Sequence, residues 1–182
     1  EFIKIMASPL PSTGIEEMRQ VGLLEHILPE LMTCLGVQQP DMHEFDVYFH
    51  SLYSSDFPPP EQYLLRIAAL FHDIGKPAAI IKKDDDQIRF YGHDKKGTKI
   101  TQKILSRLKF SNQETEYITH LVKHHMFHYE SDWSDAAVRR FIHRVKEEYI
   151  QDLLLLRKAD QFGMNRMRQP ASLLDEFHDR IN

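Results

Sequence analysis

Leu70-Phe71-His72-Asp73-Ile74-Gly75-Lys76-Pro77 decides how the rest of the chain is read. An apolar helix over 63–71 runs straight into an adjacent histidine and aspartate, and Gly75 and Pro77 then stop it. Leu64, Leu65, Ile67, Ala68, Ala69, Leu70 and Phe71 leave few polar positions between 61 and 74, so this central helix is buried on most sides. An imidazole and a carboxylate at the end of a rigid apolar helix both offer lone pairs. Both are costly to bury without a cation or another partner. On the dipeptide alone, the plain reading is a polar helix end satisfied by caps and water.

The bulk properties narrow the field. A chain of 182 residues is long enough for one domain with a sizeable core and a small helical extension. With 42% hydrophobic and 27% charged residues it has an ordinary soluble globular composition. A net charge of −4 excludes a uniformly basic nucleic-acid binder, so any such contact must use a local patch. Cys34 is the single cysteine, which rules out an internal disulfide and fits a cytoplasmic protein. No apolar run approaches the roughly 20 residues that span a bilayer, no signal peptide is visible, and no membrane partner is expected. The chain begins at Glu1 rather than Met, which points to a fragment of a longer polypeptide. Eleven histidines are many for this length, and their placement is informative.

Before the central helix, residues 1–60 form short helices cut by prolines. One begins near Ile15 after Pro11-Ser12-Thr13-Gly14 and breaks at Gly22. A second covers 23–35, with Leu24, Ile27, Leu28 and Leu31 on one side and Pro29 kinking or restarting it. A third covers 44–51 or a little beyond, with Phe45, Phe49 and Leu52 on one face. His50 lies well round from that stripe and by itself reads as a surface histidine. Pro58-Pro59-Pro60 is a break.

After Pro77 the pattern changes to a small β-hairpin, 78–81 and 88–91, around an acidic turn at Asp84-Asp85-Asp86-Gln87. Those aspartates read as a solvated turn, because no flanking element fixes their geometry. A helix over 93–109 turns Ile100, Ile104 and Leu108 inward and carries Lys96, Lys99, Lys103 and Arg107 along another face. That stripe is a solvated face or a phosphate-backbone contact. Ser111 with Glu114 makes a capping box for a helix over 113–126, where Ile118, Leu121 and Val122 face the core. His125 continues that stripe, whereas His124 points aside. A turn at 132–135 starts a helix over 136–145 with Arg139, Arg140 and Arg144. A helix over 147–161 follows, and on it Asp160 shares the face of Leu153 and Leu156. A carboxylate on that buried side needs a partner. Arg166, Arg168 and Pro170 then lead to a terminal helix.

In an all-helical pattern the chain therefore offers His50, His72-Asp73, His93, His124-His125 and Asp160, each on or at the end of a helix. Imidazole and carboxylate donors without a cysteine suit Mn, Fe, Co, Ni, Zn or Mg without choosing among them.

With these residues in view the chain resembles the HD superfamily of metal-dependent phosphohydrolases. The motif Leu70–Pro77 resembles the HD domain that follows the catalytic head of bacterial tRNA nucleotidyltransferases and poly(A) polymerases. So do Arg89-Phe90-Tyr91-Gly92-His93, the run 105–111, Leu121-Val122-Lys123-His124-His125-Met126 and Ala137-Val138-Arg139-Arg140-Phe141. Residues 15–31, with Gly22-Leu23-Leu24 and Leu28-Pro29-Glu30-Leu31, resemble the segment linking head to HD domain.

The resemblance implies an all-α HD bundle with a hairpin insertion, divided into a helical linker at 1–40 and an HD domain at 41–182. It implies a divalent metal held by His50, His72, Asp73 and Asp160. His93 and His125 would approach the substrate phosphate or a second ion, Asp73 would bridge, and Lys76 would contact phosphate. The implied activity is hydrolysis of a phosphoester on a nucleotide or an RNA end. The alternative is a non-catalytic RNA-binding module using Lys96, Lys99, Lys103, Arg107, Arg139 and Arg140, with tRNA as the partner. A nucleotidyltransferase head needs a Gly-Ser step and paired acidic residues on a sheet, and neither Gly-Ser nor a matching strand pattern is present, so this chain alone is not expected to add nucleotides.

Overall fold

A computed structural model describes residues 1–40, 44–82, 88–167 and 173–181. The amino-terminal part folds as α1 (Phe2–Met6), α2 (Pro11–Gln20), α3 (Leu24–Ile27) and α4 (Pro29–Met32). Pro29 restarts the chain rather than kinking it. It occupies the first turn of α4, where a missing N–H costs nothing. The main bundle consists of α5 (Val47–Asp56), α6 (Tyr63–Phe71), α7 (His93–Arg107), α8 (Asn112–His124), α9 (Asp135–Val145) and α10 (Ile150–Asn165), followed by α11 (Leu173–Ile181). Side chains start three of these helices. Asp46 accepts from the Phe49 N–H, Ser134 accepts from the Ala137 N–H, and Ser111 and Glu114 close a reciprocal capping box.

Strands β1 (Ile80–Lys82) and β2 (Ile88–Phe90) form one antiparallel pair in which Ile80 faces Phe90 and Ile81 faces Arg89. The acidic turn between them, together with Arg168 and Pro170, lies outside the described residues. The expected all-α class with a hairpin after the central helix is borne out.

Helix α6 is the hub, packed against α1, α5, α8 and α10. Leu65, Ile67, Ala68, Ala69, Leu70 and Phe71 are all fully buried, and each large apolar side chain contributes about 1.5–3 kcal/mol. Arg66 on the same helix is also buried. It donates to the carbonyls of Pro58, Met6 and Ser8, which fastens the amino-terminal segment to the hub. The buried core runs from Met6 and Ile15 through Phe71 to Phe177.

Two expectations are corrected. The central helix ends at Phe71 rather than 74, and residues 72–76 form consecutive turns. Gly75 is thus not the helix stop. A Cβ there would lie 2.1 Å from the His93 carbonyl oxygen and 2.4 Å from the Gly97 nitrogen, so a bare backbone is needed where the turn meets α7. His50 is not a surface residue either, but fully buried. Helix α5 packs on α2, α6 and α10, and most of its residues are buried. Its polar face is made of Ser51, Ser54 and Ser55. Ser54 and Ser55 bond back to carbonyls of their own helix, so a serine-rich face is buried without looking apolar.

Candidate metal centre

The turn 72–76 places three of the expected site residues within five positions: His72, Asp73 and Lys76. Around it, α5 brings His50, the first residue of α7 brings His93, the end of α8 brings His125, and α10 brings Asp160. The seven expected site residues converge on one place.

Two glycines allow it. Gly75 lets α7 approach the turn. Gly163 lets α10 approach α5: a Cβ at Gly163 would sit 2.1 Å from Ser54 Oγ and 2.7 Å from the His50 carbonyl oxygen. Asp160 lies one turn before Gly163 and is thereby carried to the His50 ring.

The donors form two groups, each with all atoms within 4.8 Å of one another. In the inner group, His50 Nε2 is 3.1 Å from His72 Nε2, 3.1 Å from Asp160 Oδ1 and 3.4 Å from Asp73 Oδ2. His72 Nε2 is 3.2 Å from Asp73 Oδ2 and 3.5 Å from Asp160 Oδ1. Ligands about 2.0–2.2 Å from one cation stand roughly 3–3.5 Å apart, so the spacings fit a shared ion. In the outer group, His93 Nε2 is 3.2 Å from His125 Nε2 and 3.2 Å from the other oxygen of Asp73, Oδ1. His125 Nε2 is 3.7 Å from that same oxygen.

The tautomers agree with this use. His72 Nδ1 donates to the Ala69 carbonyl at 2.7 Å, His93 Nδ1 to Phe90 at 2.8 Å and His125 Nδ1 to Val122 at 2.7 Å. A carbonyl only accepts, so each Nδ1 carries its proton and each neutral ring presents an Nε2 lone pair to the cluster. Facing lone pairs at about 3 Å repel unless a proton or a metal ion lies between them.

The electrostatics make the same demand. Burial opposes charge on His72, but Asp73 and Asp160 outweigh it and push the imidazole up to about 10. Burial also opposes charge on Asp73, and His72 and Lys76 hold its carboxyl well below the usual carboxylate range. Asp160 is held low in the same way, with His50 and His72 overcoming its burial. His125 lacks this support: burial outweighs Asp73 and keeps its ring neutral to lower pH than usual. The inner group thus calls for a positive charge, as a proton or a divalent ion.

Lys76 Nζ sits 2.6 Å from Asp73 Oδ2 and also donates to Gln39 Oε1. Arg157 Nη1 pairs with Asp160 Oδ2, which leaves Oδ1 turned toward the two histidines. Neither Arg157 nor Gln39 was expected from sequence. Arg157 precedes Asp160 by three residues on one helix, and that spacing was the available signal. His124 is not in the cluster. It lies beside His120, ring centroids 4.6 Å apart, and burial pushes it down to about 4.

The cluster opens into a cleft of about 730 Å³ whose lining includes Asp73, Lys76, His93, His125, Arg157 and Asp160 together with Ile88–Tyr91, Met126 and Met164. The basic residues lie elsewhere. Lys96, Lys99, Lys103 and Arg107 are exposed along α7, and Arg139 and Arg140 on α9. Arg107 is engaged by Glu30 at 2.7 Å, so it joins α7 to the amino-terminal segment. Among the described residues, no helix is long and apolar enough to cross a membrane.

Comparison with known proteins adds identity to geometry. The model of the HD domain family matches residues 43–165. A second model, described as a probable RNA and SrmB-binding site of polymerase A, matches residues 1–35. The chain is 37% identical over 166 residues to an A-adding tRNA nucleotidyltransferase of Deinococcus radiodurans, covering 88% of this chain and 38% of that protein. It is 31% identical over 179 residues to a CC-adding tRNA nucleotidyltransferase of Thermus thermophilus, covering 94% and 40%. It is 32% identical over 162 residues to a multifunctional CCA protein of Cupriavidus metallidurans, covering 84% and 38%. The chain therefore spans about two fifths of the length of these curated relatives.

Proposed function

We propose a function from one premise, that the chain belongs to the HD domain family: it is a metal-dependent phosphoester hydrolase acting on nucleotides or RNA ends. One observation carries this reading above others. The two oxygens of Asp73 face different histidine pairs, Oδ2 toward His50 and His72 and Oδ1 toward His93 and His125. A carboxylate so placed is suited to bridge two ions. His50, His72, Asp73 and Asp160 would hold the inner ion, and Asp73, His93 and His125 the outer one. Divalent ions bound there would supply activation of water near neutral pH and polarisation of a phosphoryl oxygen.

The remaining work falls to the chain's own groups. Lys76 stands at the cleft with its ammonium against Asp73, and offsets negative charge gathering on the phosphate. The carbonyls of Ala69, Phe90 and Val122 hold three imidazoles in the tautomer that donates a lone pair. Arg157 orients Asp160 and adds a second cation to the cleft wall.

The test is to load the purified chain with Mn, Ni, Co or Mg. Bound metal is then measured, and hydrolysis of a generic phosphodiester and of a 2′,3′-cyclic nucleotide is followed, with Asp73→Ala alongside. Metal binding and turnover, both lost in the variant, are the expected result. Absence of both in the parent chain would sink the reading.

A second reading rests on a different observation, the match of residues 1–35 to an RNA-binding model and the relatives named for tRNA. In it the chain is an RNA-binding part of a larger cytoplasmic tRNA-processing protein. Lys96, Lys99 and Lys103 on α7 and Arg139 and Arg140 on α9 would contact phosphates. Salt-sensitive tRNA binding that survives Asp73→Ala would support it.

A further inference from the structure

The cleft is larger than the metal-ligating groups need, and its lining includes apolar side chains as well as donors. Ile88, Phe90, Tyr91, Met126 and Met164 line the same cleft as the polar donor groups. Tyr91 is 56% exposed and Met126 is 59% exposed, an unusual state for two large side chains that share the lining of one cleft. Each is tied by the chain to an outer-group histidine. Met126 directly follows His125. Tyr91 precedes His93 by two residues, with Gly92 between them at φ 71, where the strand turns directly into α7. The Phe90 carbonyl accepts from His93 Nδ1 at 2.8 Å, so the hydrogen bond that orients the histidine also locates this lining.

Resting on the phosphoesterase reading above, we infer that Tyr91 and Met126 form a nucleobase subsite, so the preferred substrates carry a base beside the scissile phosphate. A planar, apolar-faced group with polar edges is the ligand this lining suits. An aromatic ring and a polarisable thioether stack against such faces, and Arg89 Nη1, 3.4 Å from Tyr91 Oη, borders the position its edge would take. A simple phosphate ester would leave both side chains in water. The cleft volume of about 730 Å³ falls within the range of ligand pockets, roughly 300–1,000 Å³.

The test uses three probes on the Mn-loaded full chain, followed by titration calorimetry: AMP, ribose 5-phosphate, which lacks only the base, and adenosine, which lacks only the phosphate. The parent chain is expected to bind AMP about tenfold or more tightly over ribose 5-phosphate, the scale of one stacked base. Tyr91→Ala combined with Met126→Ala should bring the two to parity while leaving ribose 5-phosphate affinity within about twofold. Both side chains are exposed, so the fold should survive, and circular dichroism checks that it does. Equal binding of AMP and ribose 5-phosphate by the parent overturns the inference, as does an unchanged ratio in the double variant. Adenosine separates the two readings. If ribose 5-phosphate fails to bind but adenosine binds and is lost in the double variant, the phosphate reading falls and the base subsite stands.

Discussion

The inner and outer donor groups share Asp73 yet are built differently. The inner group has two carboxylates and two imidazoles at the junction of α5, α10 and the 72–76 turn. The outer group has two imidazoles and one borrowed oxygen, and it faces the cleft. The inner group demands positive charge strongly enough to raise His72, whereas the outer His125 titrates low. The contrast teaches that one aspartate can face two different donor groups, because its two oxygens see different surroundings. Each group also depends on its own glycine, Gly163 behind the inner and Gly75 behind the outer.

Asp73→Ala should break the comparison outright. It removes a donor from both groups, and both ions and turnover should fall by more than about a hundredfold, beyond the ten- to hundredfold cost of losing an outer-shell partner. Elemental analysis together with a phosphodiesterase assay reads both effects, and retention of either ion would refute the bridging role.

Asp160→Asn and His125→Ala should separate the groups. The first is expected to weaken the inner ion by about tenfold or more while helicity persists. The second should release the outer ion and leave the inner one in place. Identical metal content in the two variants would show that the groups are not distinct.

Gly75→Ala and Gly163→Ala probe the scaffold. The three nearest atoms to an added Cβ at Gly75 are all backbone, of His93 and Gly97, whereas at Gly163 the nearest is the Ser54 side chain at 2.1 Å and one backbone atom, the His50 carbonyl oxygen, follows at 2.7 Å. Both should destabilise by about 1–3 kcal/mol, Gly75→Ala by the larger amount because backbone yields less than a side chain. Thermal melts rank them, and the reverse order would mean that α7 shifts more easily than α10.

Arg157→Ala carries the smallest expected effect, about a tenfold loss of inner-ion affinity with the outer ion untouched, since it removes only the partner of Asp160 Oδ2. An equal loss at both ions would show that Arg157 acts through general charge rather than by orienting Asp160.

Much of the fold and part of the site were legible beforehand. Ser111 and Glu114 announced α8, the apolar run announced α6, and Asp160 on the Leu153–Leu156 face announced a carboxylate turned toward the core, because local patterns encode caps and apolar stripes directly. His125 was legible for the same reason. His50 was not, because the buried face around it on α5 carries serines, two of which, Ser54 and Ser55, bond back to their own helix, so that it looks polar in sequence. Only likeness to a family placed it in the site.

The sequence by itself determined the helical class, the His72-Asp73 pair at the end of the central helix, the family and the donors that had to find partners. Tertiary structure alone decided which oxygen of Asp73 meets which histidines, that Gly75 and Gly163 are needed for close approach, and that Arg157 and Gln39 stand beside the cluster. Those facts depend on contacts between elements far apart in the chain, such as α5 with α10 and the 72–76 turn with α7. Periodicity describes which face of a helix is apolar, but not which other face it meets or at what distance.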